Sequence, residues 1–172
     1  MTSTVPLMRG SNGADGRAYL RTITQDELRI SFPKLIPGTF QPVSRATIRY
    51  NCLGFAAGDE RHWWEAEGNG GRFYWPQHIK RVTNIETVST IFTSEGFALT
   101  NNHDIESGYE KVAIYASLET FEFSHIAKSD GKVWKSKLGS GQDIYHYSLA
   151  VLEGDQADEY GIVERVLRKP IN

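Results

Sequence analysis

Cys52, the single cysteine of this 172-residue chain, and His125, one of its five histidines, have the types that nucleophilic catalysis needs. Cys52 follows Asn51, a residue type that caps helix N-termini, and Gly58 stands where a helix of this length would place its C′ residue. The segment Tyr50-Asn51-Cys52-Leu53-Gly54-Phe55-Ala56-Ala57-Gly58 therefore reads as a short helix with cysteine in its first turn. Unsatisfied N–H groups at such a position favour a thiolate over a thiol. In residues 121–128 (FEFSHIAK), period-two alternation places Phe121, Phe123, His125 and Ala127 on one face of a strand, with Glu122, Ser124 and Lys128 on the other. A helix start packed on that strand would let His125 take the thiol proton and later protonate a leaving group, while the Cys52 N–H meets a tetrahedral oxyanion. Taken singly, a lone cysteine is more often a small buried hydrophobe, and an inward histidine a satisfied core residue. The pair is more specific than either alone.

A third polar group would orient the imidazole. Ser129-Asp130-Gly131 is a turn signal, and residues 132–138 (KVWKSKL) return beside the histidine strand. Alternation puts Trp134 and Ser136 on one face, which makes Ser136 the candidate. A one-residue slip would present Val133, Lys135 and Lys137 instead. Asp143 is the alternative, because a carboxylate stabilises imidazolium more strongly, and His146 competes with it just past the Gly139-Ser140-Gly141 loop. Tyr50, Trp64 and Trp134 are candidate substrate contacts. Tryptophans at this density (with Trp63 and Trp75) more often anchor a loop-rich fold.

The elements that must position these groups follow from local signals. Thr24, then Asp26 and Glu27, opens a helix carrying Leu28, Ile30 and Phe32, which Pro33 stops. Residues 33–42 hold three prolines and read as an ordered loop. Residues 59–83 are an irregular aromatic excursion. Thr83 or Asn84 caps a second helix with Ile85, Val88, Ile91 and Phe92 in helical spacing, ended by Gly96. Residues 110–117 (EKVAIYAS), 121–128 and 132–138 then follow a period of two, and 160–167 (YGIVERVL) favours a late strand. Helices followed by an antiparallel sheet read as α+β. The expected organisation is a flexible arm over 1–20 and one domain over 21–172.

Composition narrows the function classes. With 40% apolar and 23% charged residues and a formal charge of −2, the chain has the content of a globular core and no footprint for nucleic acid or an anionic membrane. One cysteine excludes an intramolecular disulfide and a cysteine-based zinc site. No run approaches the roughly twenty apolar residues of a membrane helix, and no apolar h-region marks the start, so the chain is expected to be cytoplasmic as synthesised. Signal-independent export would leave no such trace. His62, His78 and His103 read as solvated surface, although His103-Asp104 hints at a ligand pair. Gly68-Asn69-Gly70-Gly71 lacks the Lys-Ser/Thr of a phosphate loop. Lys135 and Lys137 read as the solvent face of their strand. No cofactor is expected, and no metal.

Tyr50 to Phe55, the strand bearing His125 and the return through Asp130-Gly131-Lys132-Val133 resemble the layout of papain-superfamily cysteine amidases and peptidases of the NlpC and CHAP type. The chain is more similar still to an uncharacterised, mostly bacterial family with a Y-N-C-x-G-F-A segment. The matching pieces here are Tyr50 to Ala56, Trp63-Trp64, Gly108 to Ala116, His125 to Gly139, Asp143 to His146 and Tyr160-Gly161, together covering most of 24–170. NlpC-type enzymes commonly read Asp-Cys-Ser-Gly where this chain has Asn51-Cys52-Leu53-Gly54. The resemblance implies a papain-like fold, with N-terminal helices packed on a twisted antiparallel sheet. It also implies a thiol-dependent hydrolase or acyl-transferase acting on an amide, peptide or isopeptide bond, with Cys52 as nucleophile and His125 as base. A side-chain deamidase would use the same apparatus. The partner would be a peptide or protein substrate, cell-wall peptide among the candidates, in a setting of bacterial effector or toxin biology. The alternative is a non-catalytic binding module on that scaffold, recognising its ligand through the aromatic cleft.

Overall fold

Each helix begins where a side chain satisfies its first N–H groups. Thr24 opens α1 (Gln25–Ser31) with a capping box: its hydroxyl accepts from the Glu27 N–H at 3.3 Å, and the Glu27 carboxylate accepts from the Thr24 N–H at 2.8 Å. Asn51 caps α2 (Cys52–Ala56) by accepting the Gly54 N–H at 3.1 Å, and Gly58 follows its end at φ +81°. Asn84 caps α3 (Ile85–Ser94) in reciprocal contact with Thr87. These assignments come from a computed structural model that describes residues 23–67 and 73–172. The expected arm over 1–20 and the Gly68–Gly71 run lie outside the described residues.

The strands are β1 (Phe40–Pro42), β2 (Ala98–Thr100), β3 (Tyr109–Ala116), β4 (Phe123–Ser129), β5 (Trp134–Lys137), β6 (Asp143–His146) and β7 (Ile162–Pro170). They form one antiparallel sheet in the order β1-β6-β5-β4-β3-β7-β2. This corrects the expected papain-like α+β architecture. Among the described residues the fold is β-rich: seven strands form the scaffold, and the three helices, of 7, 5 and 10 residues, are too short to make a helical layer. One segment accounts for much of the difference. The proline-rich loop contains β1, which pairs Phe40 with His146 and Pro42 with Ile144. Pro42 is tolerated there because β1 is an edge strand.

The sheet is buried on both faces. On one face α1 and a 3-10 turn (Leu149–Leu152) gather Leu28, Phe32, Leu152, Tyr115, Trp134 and Ile144. On the other, Leu53, Trp64, Trp75, Val88, Ile91 and Phe92 pack on Val112, Ile114 and Ile126. There α2 rests on β4 and β5, and α3 on β3 and β7. Two local features depart from simple alternation. Phe121, at φ +57° and 74% exposed, belongs to the β3–β4 turn rather than the strand. The register passes from Tyr115↔His125 to Ala116↔Phe123, so Ser124 is a bulge and Phe123 turns to the face opposite His125.

Gly54 fixes how α2 meets the loop that follows it. A Cβ there would lie 2.7 Å from the His62 carbonyl oxygen and 3.0 Å from that of Asp59. Because the obstacles are backbone atoms, Gly54→Ala is expected to cost about 2–3 kcal/mol in urea unfolding. A loss below about 0.5 kcal/mol would show that this close approach does not hold the helix in place.

Candidate active site

The site forms where the β4–β5 ladder ends. Those strands pair only at Lys128↔Lys135 and Ser129↔Trp134, so residues 123–127 of β4 have no ladder partner in β5. The start of α2 meets this opening. The Ile126 N–H, which could have served the ladder, lies against the Cys52 sulfur. Cys52 is half-buried and opens on a cleft of about 450 Å³, which His125, Asn51, Trp64, Ser124 and Tyr160 also line.

His125 is held by its whole surroundings. Its Nε2 lies 3.0 Å from Ser136 Oγ, that oxygen lies 2.8 Å from His146 Nε2, and His146 Nδ1 lies 2.9 Å from the Ser148 carbonyl oxygen. The imidazole stacks on Tyr160 with centroids 4.0 Å apart and planes 5° from parallel, and meets Tyr115 edge-on. Only 1% of His125 is exposed, and Ser136 and His146 are fully buried. The hairpin loop spans 130–133, longer than a two-residue turn, yet the even shift in register leaves Ser136 on the His125 face.

Burial decides the charge state. It pushes the Cys52 thiol up to about 11, against the N–H groups of Ile126, Leu53 and Cys52 itself and the Lys137 cation, which all favour thiolate. It also holds His125 well below the usual histidine range, with nearby His146 acting in the same direction. His146 is pushed down to about 4 by burial, offset in part by the Ser148 carbonyl. At neutral pH the resting site therefore holds a neutral thiol and two neutral imidazoles. The thiolate expected from the helix start is overridden by desolvation.

The other anticipated groups divide clearly. Trp64 lines the cleft, whereas Tyr50 and Trp134 are buried away from it. Asp143 does not meet His125. It pairs in register with Lys137, and its Oδ2 accepts from the Tyr50 hydroxyl at 2.8 Å. Lys137 is not on a solvent face: it is fully buried, donates to the Thr47 and Gly139 carbonyls, and is pushed down to about 8 by burial. His62 is exposed and pairs with Asp59 at 2.8 Å. Among the described residues no cluster of three or more His, Cys, Asp and Glu side chains could hold a metal ion. No described helix is long and apolar enough to cross a membrane. Sequence reasoning missed the role of Tyr160. Its signal was the adjoining Gly161, at φ +87°, where a Cβ would collide with the Ala116 carbonyl oxygen.

A family model described as a domain of unknown function (DUF7689) matches residues 41–168. The chain belongs to that family. Comparison with curated proteins and with solved structures returns no match. The DUF7689 span runs from within β1 to within β7, so Cys52, His125, Ser136, His146 and Tyr160 all lie inside the domain that defines the family.

The buried imidazoles of the DUF7689 domain link its stability to pH. The folded state holds His146 at about 4 against 6.5 for the free side chain, so its contribution is fully present above 6.5 and is lost as pH falls through about 4. That shift corresponds to about 3 kcal/mol, and His125 acts in the same direction. Urea unfolding between these limits should lose stability more steeply for the wild type than for His146→Gln. Equal slopes would remove the assignment, since carboxylates contribute to both proteins alike.

Proposed function

We propose that this domain is a thiol-dependent hydrolase or acyl-transferase acting on an amide, peptide or isopeptide bond, with Cys52 as nucleophile, His125 as base and Ser136 orienting the imidazole. The observation that carries the reading is the His125 Nε2–Ser136 bond. It occupies one ring nitrogen and leaves Nδ1 without a hydrogen-bond partner among the described residues, in a cleft shared with a thiol that touches the next residue of the same strand. In the proposed reaction the Cys52 sulfur bonds to the substrate carbonyl carbon as its proton passes to His125 Nδ1. The imidazolium gives that proton to the leaving nitrogen as the C–N bond breaks. Water or another acceptor then attacks the thioester, passing its proton through His125 back to sulfur. Glu65, Glu67 and Glu122 line the cleft, with no Lys or Arg among the described lining residues, which favours neutral or cationic substrates over acidic ones.

A second reading, a non-catalytic binding module that uses the same aromatic cleft, draws on two observations. His125 is 1% exposed, and the thiol is held at about 11.

The two readings separate with 4-nitrophenyl acetate as acyl donor and iodoacetamide as thiol probe. The catalytic reading expects acetylation at Cys52 by mass, none in Cys52→Ala, and a loss of about 100-fold in acylation rate for His125→Ala. Alkylation should climb with a midpoint near pH 11. Below that rise should lie a neutral-pH plateau that His125→Ala abolishes. If Cys52 is not acylated, or His125→Ala changes neither rate nor plateau, the domain is the binding module.

A further inference from the structure

His146 has no part in the reaction just described, yet it ends a buried chain that reaches the proposed base. We propose that His146 is a positioning residue: through the Ser136 hydroxyl it holds His125 in the tautomer that carries its proton on Nε2, leaving the Nδ1 lone pair for the Cys52 thiol. The inference rests on the catalytic reading for its consequence, but not for its geometry.

The argument is one of donors and acceptors. The Ser148 carbonyl oxygen can only accept, so His146 Nδ1, 2.9 Å away, carries a proton. A neutral imidazole has one such proton, which leaves His146 Nε2 as an acceptor at 2.8 Å from Ser136 Oγ. The serine hydroxyl has a single proton and donates it there. Its oxygen must then accept from the second imidazole, so His125 Nε2, 3.0 Å away, is the protonated nitrogen. The reverse polarity would require His146 to carry two protons at a position with no solvent exposure. Among the described residues neither ring has an Asp or Glu hydrogen-bond partner to stabilise that cation.

Without the second histidine the chain loses its direction. Ser136 would be free to donate to His125 Nε2, which selects the tautomer with its proton on Nδ1. That proton would sit on the nitrogen to which the catalytic reading assigns the thiol proton, where a lone pair is needed, and the imidazole would no longer act as a base. Ser136 alone therefore orients the ring without choosing its tautomer. His146 makes the choice.

The test reads the tautomer directly, with no substrate. In the full chain labelled with ¹⁵N at histidine, long-range ¹H–¹⁵N spectra near neutral pH should show His125 and His146 neutral, with His125 protonated at Nε2 and His146 at Nδ1. In His146→Phe, His125 should move to the Nδ1-protonated form, and the neutral-pH alkylation plateau of Cys52 should fall about 10-fold or more. In His146→Gln, whose amide can donate to Ser148 and accept from Ser136, the wild-type tautomer and most of the plateau should return. Ser136→Ala, which removes only a hydroxyl, should lose the Nε2 preference and serves if His146→Phe does not fold. Wild-type His125 protonated at Nδ1, or a tautomer unchanged in the variants, overturns the proposal. An Nε2 tautomer that responds to His146 while His125→Ala leaves alkylation unchanged would sink the catalytic reading and the relay's catalytic role with it, leaving only the tautomer assignment.

Discussion

The early end of the β4–β5 ladder is the constraint on which the rest of the site depends. A continuous ladder would bring backbone groups of the two strands together at the level of His125. Because pairing stops at Lys128↔Lys135, the strands leave an opening that α2 addresses with its first residue. The Ile126 N–H is then met by sulfur instead of a carbonyl oxygen. Lys128, at the last rung, donates to the Phe55 carbonyl at 2.7 Å and so ties the end of α2 to the strand beside the opening. The bulge at Ser124 belongs to the same event, since it turns Phe123 under α2 while leaving His125 on the opposite face.

Placing polar groups at such an opening demands that each be satisfied, because an unpaired buried donor or acceptor costs about 1–3 kcal/mol. His125, Ser136 and His146 meet that demand serially, each supplying what its neighbour lacks, and the last proton ends on a backbone carbonyl. On the other face of the same strands Lys137 donates to the Thr47 and Gly139 carbonyls, and Asp143 Oδ2 accepts from the Tyr50 hydroxyl while its Oδ1 is buried without a hydrogen-bond partner among the described residues. Alternation along β5 and β6 keeps the two sets apart. That is why Asp143, chemically the stronger partner for an imidazole, does not meet His125.

The parts legible in the sequence are those that local chemistry settles. Thr24, Asn51 and Asn84 cap helices because a side-chain oxygen two or three residues from an N–H acts within one turn. The contact of Ser136 with His125 was legible because alternation along a hairpin is also local. The pairing of β1 with β6 joins residues more than 100 positions apart, from Phe40 to His146, and no short-range pattern announces it. Missing it left a fold read as helices on a sheet when the sheet is the scaffold. Lys137 was misread for a related reason: in a sheet covered on both faces a charged residue at an alternating position need not face water. The Ser124 bulge likewise breaks the alternation that sequence reading assumes.

Burial also sets the form any chemistry at Cys52 must take. A thiol at about 11 in the same cleft as an imidazole held well below its ordinary 6.5 makes full proton transfer in the resting site uphill by more than about 6 kcal/mol. A preformed thiolate–imidazolium pair is therefore the wrong ground state for this cleft. Proton transfer becomes accessible only as the sulfur bonds to carbon, because bond formation makes the sulfur acidic while the acyl oxygen takes up the charge. In that concerted regime the proposed reaction would call for a neutral imidazole that keeps the Nδ1 lone pair free. Under the proposed reaction a depressed histidine pKa would help, since it keeps the ring unprotonated, and the chain through Ser136 to His146 would act by direction rather than by charge.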